Sequence, residues 1–142
     1  MSNKSIGTAF EKEFAELLSG MGFWVHRLQD NKNGQPFDVI AVMDGEALAF
    51  DCKACERRYF DLRRIEENQH SAMKLGMECG NPEGIFAVRY PLAGIYLFPY
   101  RSIEELAQEG IKTIHESNAK FYGTSFESWK EGIMYCENRN QQ

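Results

Sequence analysis

The sequence has no apolar run long enough to cross a membrane. Its first residues, Met1-Ser2-Asn3-Lys4-Ser5, lack the apolar core of a secretory signal. These absences lead us to expect an intracellular, cytoplasmic protein with no membrane partner. There are only four cysteines (Cys52, Cys55, Cys79, Cys136), expected to be reduced in such a compartment, so a disulfide scaffold is excluded. There is no internal repeat, low-complexity tract or linker. There is also no excess of positive charge. Sixteen basic side chains face 21 acidic ones, for a formal net charge of −5, so the simplest electrostatic mark of a nucleic-acid binder is missing.

What remains is 142 residues, one domain's worth, with the apolar and charged fractions of an ordinary globular protein. The charge is unevenly spread. Residues 1–75 hold ten basic and twelve acidic side chains, and residues 76–142 hold six and nine. Three acids of the first half are the candidate metal ligands named below. Without them that half is slightly basic, which permits a DNA or RNA partner.

The chain is organised around residues 35–53. Phe37 to Met43 is an apolar run, Asp44-Gly45 is a strong two-residue turn signal, and Ala47 to Lys53 reads as the return strand of a β-hairpin. Asp38 opens the first strand; Asp51 and Lys53 end the second. Side chains two apart share a face, and antiparallel pairing brings the start of one strand beside the end of the other. Two carboxylates and an ammonium should therefore converge. Like charges so close raise each other's pKa unless a cation lies between them. Oxygen ligands of this kind suit Mg²⁺ or Mn²⁺, which also take phosphate oxygens from a substrate. A lysine alongside can orient water or stabilise phosphate charge, and the set is the equipment of metal-assisted phosphodiester hydrolysis. The plainer reading of Asp51 and Lys53 is an exposed salt bridge.

The flanking segments read as follows. Ile6, Phe10, Phe14, Leu17 and Leu18 have helical spacing, which predicts a helix from about Thr8 to Leu18 closed by Gly20 and Gly22. Glu11 sits at the edge of its buried stripe, either solvated or aimed toward Asp38. Phe23 to Leu28 predicts a strand. His26 within it has no second His or Cys at ligand spacing and reads as a packed or rim histidine. Gln29 to Gln35, with Asn33-Gly34, predicts a polar loop. After Lys53, Arg57 and Arg58 sit beside Tyr59 and Phe60, a composition suited to phosphate contact and base stacking, or to a charged surface loop. Asp61 is the expected N-cap of a second helix running to about Cys79. Gln69 lies on its apolar face, as a buried amide or as a group projecting into the site. Gly84 to Tyr90 and Gly94 to Tyr100 predict strands. Ser102–Glu105 and Thr124–Glu127 are capping-box matches for two further helices, and 111–122 is ambiguous. The resulting order is helix, three strands, helix, two strands, then helices. The strand–helix–strand step from 47 to 90 implies a parallel crossover, and hence a mixed α/β sheet with helices on both faces.

Phe37-Asp38 followed by Asp51-Cys52-Lys53 resembles the PD-(D/E)XK nuclease signature, with Pro36 displaced by one position and Asp51 where Glu is commoner. Gly7-Thr8-Ala9-Phe10-Glu11 and Gly22-Phe23-Trp24-Val25-His26-Arg27 resemble the opening of Holliday junction resolvases of that superfamily, of the RecU and archaeal types. Phe60-Asp61-Leu62, Gln69-His70 and the two strands from Gly84 carry the RecU-type likeness on to about residue 106. The resemblance implies a restriction-endonuclease-like αβββαβ core over about 5–106, within a single domain, with a C-terminal extension over about 107–142. It implies a Mg²⁺- or Mn²⁺-dependent, structure-selective endonuclease of branched DNA, acting as a homodimer in recombination or repair. Asp38, Asp51 and Glu11 would hold metal, Lys53 would position water or phosphate, and Gln69 would support the site. Lys12, Arg27, Arg57, Arg58, Arg63 and Arg64 would bind DNA. RecU-type proteins carry a long stalk where this chain has only Gln29 to Gln35. Two alternatives stay open: an inactive DNA-binding or regulatory module on the same fold, and a cysteine-ligated metal or iron–sulfur protein built on Cys52-x-x-Cys55.

Overall fold

The computed structural model describes residues 3–29 and 37–140, with side chains for 6–29 and 37–136. Most of the loop expected over Gln29 to Gln35, and Pro36, lie outside the described residues. The elements in order are α1 (Asn3–Gly20), β1 (Trp24–Arg27), β2 (Val39–Met43), β3 (Glu46–Ala54), β4 (Tyr59–Asp61), α2 (Glu67–Glu78), β5 (Ile85–Tyr90), β6 (Gly94–Pro99), α3 (Tyr100–Gln108), β7 (Thr113–His115), α4 (Ala119–Tyr122), β8 (Thr124–Ser125) and α5 (Phe126–Asn140). Six strands form one sheet in the order β1-β2-β3-β5-β6-β8, and β4 pairs with β7 in a small second sheet. Only β3 and β5 run parallel, across the α2 connection; the other pairs are antiparallel. The expected mixed α/β sheet is present.

Strand alternation divides the core between the two faces. Val39, Ala41, Phe50, Cys52 and Ala87 point toward α1, where Phe10, Phe14 and Leu18 are fully buried. Phe86, Val88, Tyr90 and Phe98 point the other way, to Met73 of α2 and to Ile103 and Leu106 of α3. The turn between β2 and β3 needs left-handed backbone at both positions, and Asp44 (φ 52°) and Gly45 (φ 81°) supply it. This is why the Asp-Gly pair fixed the hairpin register.

The helix starts differ from expectation. Asp61 caps a short 3₁₀ turn, Leu62–Arg64, by accepting from Arg63 N, and α2 begins only at Glu67. Helix α3 starts at Tyr100, two residues before Ser102. The extended conformation of Pro99 and the Glu83 carboxylate, which accepts from Arg101 N at 2.6 Å, serve as its cap. A tertiary partner thus replaced the local capping box. Helix α5 is capped by Ser125, whose hydroxyl accepts from Ser128 N at 3.2 Å, one residue after the expected Thr124.

The last third of the chain is part of the core. Phe126 and Trp129 of α5 pack edge-on or tilted against Phe14, Phe50 and each other, and Trp129 stacks on Phe23. Gly123 lets β8 close on β6: a Cβ there would stand 2.5 Å from Leu97 O and 2.6 Å from the Phe98 ring.

Candidate active site

Val39 pairs with Phe50, so one step back along each strand sets Asp38 opposite Asp51. Asp38 N donates to Phe50 O at 2.9 Å, and Asp38 Oδ2 accepts from Cys52 N at 2.7 Å. Asp38 is thereby held to β3 at the point where β2 begins. Its side chain is 6 % exposed and Asp51 is 0 % exposed. Parallel pairing of Asp51 with Phe86 and of Lys53 with Val88 puts both on the α2 face of the sheet. There Gln69 completes a ring of polar contacts. Gln69 Nε2 donates to Asp51 Oδ1 at 2.9 Å, and Gln69 Oε1 accepts from Lys53 Nζ at 3.2 Å and from Glu66 N at 3.0 Å. Lys53 Nζ lies 3.2 Å from Asp51 Oδ2. Gln69 is therefore both a buried amide and a site residue.

The electrostatics favour a bound cation. Asp51 Oδ2 accepts no hydrogen bond, although Lys53 stands beside it. Burial pushes the Asp51 carboxyl up to about 8; Lys53 pulls it down, and the neighbouring Asp38 charge pushes it up again. A buried carboxylate that carries an unsatisfied oxygen and faces a second acid fits a divalent metal, which would supply the missing charge. Cys52, facing α1, has its thiol held well above the usual value, first by burial and then by the Asp38 and Asp51 charges.

The expected third carboxylate is Glu11. Glu11 stands on α1, the helix that packs on the opposite face from Asp51 and Lys53, and its Oε2 lies 3.7 Å from Arg27. Its charge reaches Cys52. Among the described residues, no three His, Cys, Asp or Glu side chains gather closely enough to hold a metal. This also removes the cysteine-ligated cluster: Cys52 is buried in the core, and Cys79 and Cys136 are exposed. His26 is an exposed rim residue stacked beside Trp24.

The basic residues divide into two groups. Arg58 is bound at 2.5 Å by the buried Glu116, and Arg63 is bound by Asp61 through two contacts of 3.0 and 2.8 Å. Arg27 is half-buried against Glu11 and Thr8 O. Lys12 and Arg57 are exposed. Arg57 and Arg64 line a cavity of about 400 Å³ with Tyr59, Cys55 and Gly7, just past the Lys53 end of β3. Sequence reasoning missed Glu116. Its oxygens also accept from Leu92 N at 3.3 Å and Ala93 N at 3.0 Å, tying the β5–β6 turn to Arg58. No local pattern marks a residue whose three partners lie more than 20 positions away.

A helix-flanked mixed sheet whose hairpin sets Asp38 against Asp51, with Lys53 two residues on, defines a nuclease fold of the PD-(D/E)XK superfamily. The chain matches the family described as archaeal Holliday junction resolvase (Hjc) over residues 2–128, and it belongs to that family. Of the two resolvase types that its motifs resemble, this is the archaeal one. Among solved structures, it is similar to Hjc from Archaeoglobus fulgidus, a Holliday junction resolvase from an archaeal hyperthermophile. The TM-score is 0.63 at 19 % identity, over 88 % of this chain and 95 % of that one. No curated protein matches the chain by sequence.

Proposed function

We propose that the chain hydrolyses phosphodiester bonds at four-way DNA junctions, with Asp38 and Asp51 holding Mg²⁺ or Mn²⁺ and Lys53 and Gln69 setting the attacking geometry. By family it is a structure-selective junction endonuclease with DNA as its partner and a need for divalent metal. The observation that carries the residue assignment is the buried Asp38–Asp51 pair with its unsatisfied Asp51 oxygen. When bound there, the metal supplies a lowered pKa for coordinated water and a counter-charge for the phosphate. Lys53, anchored by Gln69, donates toward a phosphate oxygen or an incoming water. Gln69 ties Asp51 and Lys53 together through its two ends. Glu11, which the resemblance makes a third ligand, is paired with Arg27 at 3.7 Å. Arg57 and Arg64, with Lys12 on α1, carry the backbone away from the site. Arg58 and Arg63 serve mainly their own carboxylate partners. We further propose a homodimer, because two symmetric cuts resolve a junction, and a cytoplasmic setting. No helix among the described residues is long and apolar enough to cross a membrane.

Four-way junction, flap, duplex and single-strand substrates should be compared in Mg²⁺, Mn²⁺ and EDTA. Cleavage should favour the junction and vanish in EDTA, and Asp38→Asn or Asp51→Asn should abolish it with the fold intact. Retained cleavage in either variant refutes the site.

A further inference from the structure

We propose that Trp24 and His26 form a stacking platform for unpaired nucleobases of the DNA substrate, on the same sheet face as the carboxylate pair. The inference rests on the nuclease reading above and adds a place for the opened bases. On edge strand β1, Val25 and Arg27 turn toward α1, so Trp24 and His26 turn to the opposite face. That is the face of Asp51 and Lys53. Trp24 is 64 % exposed, the largest exposed aromatic surface near the site. Its ring and that of His26 lie within 11° of parallel, with centroids 6.2 Å apart, so both present flat faces in one orientation.

The register fixes where they stand. Trp24 pairs with Val42, and Val42 with Ala47; His26 pairs with Ile40, and Ile40 with Ala49. The next row is Asp38 and Asp51. At about 3.3 Å per residue along the strands and about 4.8 Å between strands, His26 lies about 12 Å and Trp24 about 16 Å from Asp51. That is roughly three to five nucleotides along a strand at 3.4 Å per step. Ile40 and Val42 stand next to His26 and Trp24 on β2, with Ala47 and Ala49 beyond on β3, and none of these four neighbours carries a charge.

Such a shelf has nothing to offer an intact duplex, whose bases are already stacked. Bases freed at a branch point can stack on it, whatever their identity. Continuity with the site, at a few nucleotides' distance, selects DNA bases as the occupant over a second protein. The platform would then discriminate structure without reading sequence.

The full chain should be titrated in EDTA with a four-way junction carrying 2-aminopurine at successive positions from the branch, and with a duplex of equal length. The chain has only two tryptophans, and Trp129 is partly buried against the core, so emission lost in Trp24→Phe reports the exposed indole. Junction binding should quench it, and duplex should not. Trp24→Ala should weaken junction binding about tenfold and duplex binding less than twofold, and Trp24→Phe should restore most of the loss. Unchanged junction affinity in Trp24→Ala, with unquenched emission in wild type, overturns the platform. So does sedimentation showing a wild-type dimer that Trp24→Ala converts to monomer, which would assign the face to a second copy. Cleavage by wild type in Mg²⁺, run in parallel, separates these failures from failure of the nuclease reading itself.

Discussion

The Asp51 carboxyl makes a stability prediction that does not depend on catalysis. In metal-free protein its pKa is about 8, against an ordinary value of 3.8, chiefly because it is fully buried. Between those values the folded chain holds a proton that the unfolded chain has lost. Stability tied to this group is therefore intact below about pH 4 and drains away as pH rises toward 8. At pH 7 the gap from 3.8 is about three units, or on the order of 4 kcal/mol at 1.36 kcal/mol per unit. Asp51→Asn keeps the shape and the acceptor for Gln69, and it has no proton to bind. It deprives Lys53 of its carboxylate, so only part of that sum returns. We expect the variant to be more stable than wild type by about 2 kcal/mol at pH 8 in EDTA, and by much less at pH 5. The assay is urea unfolding of both proteins at each pH. The difference between proteins cancels the titrating groups that Asp51 does not touch. Saturating Mg²⁺ at one hundred times its Kd should then stabilise wild type by about 2.7 kcal/mol and leave the variant unchanged. A wild type-to-variant difference that is the same at pH 5 and pH 8 would refute the claim that burial strains this acid.

The other two predictions concern side chains that act through neighbours. Gln69→Glu preserves an acceptor for Lys53 Nζ and Glu66 N but removes the donor to Asp51. Junction cleavage should fall tenfold or more in kcat with KM little changed, and an unaffected kcat would remove Gln69 from the site. Burial alone would raise the Glu116 carboxyl, but hydrogen bonds from Arg58 and from the Ala93 and Leu92 amides outweigh it and hold the pKa below the usual value. Its contribution is present above the ordinary carboxylate range and is lost as pH falls through the lowered value. Glu116→Gln should lower Tm at neutral pH and flatten the acid limb of the stability profile; an unchanged acid limb would show that the group does no such work.

Which parts of this could be read from the chain depends on how local their causes are. The hairpin was legible because Asp44-Gly45 demands one turn type, and that turn fixes the register that faces Asp38 with Asp51. The Lys53 position followed from alternation alone. Gln69 was legible only as a polar intruder on an apolar helix face; besides the nearby Glu66 N, its site partners are 16 and 18 residues away. The start of α3 was misread because Glu83, from another segment, supplies the cap that Ser102 would otherwise give. The C-terminal residues looked like an appendage because Phe126 and Trp129 show their purpose only against Phe14, Phe50 and Phe23.

Glu11 shows how a helix stripe places a motif residue. The spacing Phe10, Phe14, Leu18 fixes which stripe of α1 is buried, and Glu11 follows Phe10 at its edge. That fixes the layer, and the layer lies across the sheet from Asp51. Arg27, turned to the same layer by strand alternation, meets it at 3.7 Å. Two residues that sequence reading would assign to one metal and one phosphate therefore hold each other in the metal-free protein. A partly exposed pair of this kind is worth about 1 kcal/mol or less. The buried pair is different: without a cation, burial keeps Asp51 protonated up to about pH 8.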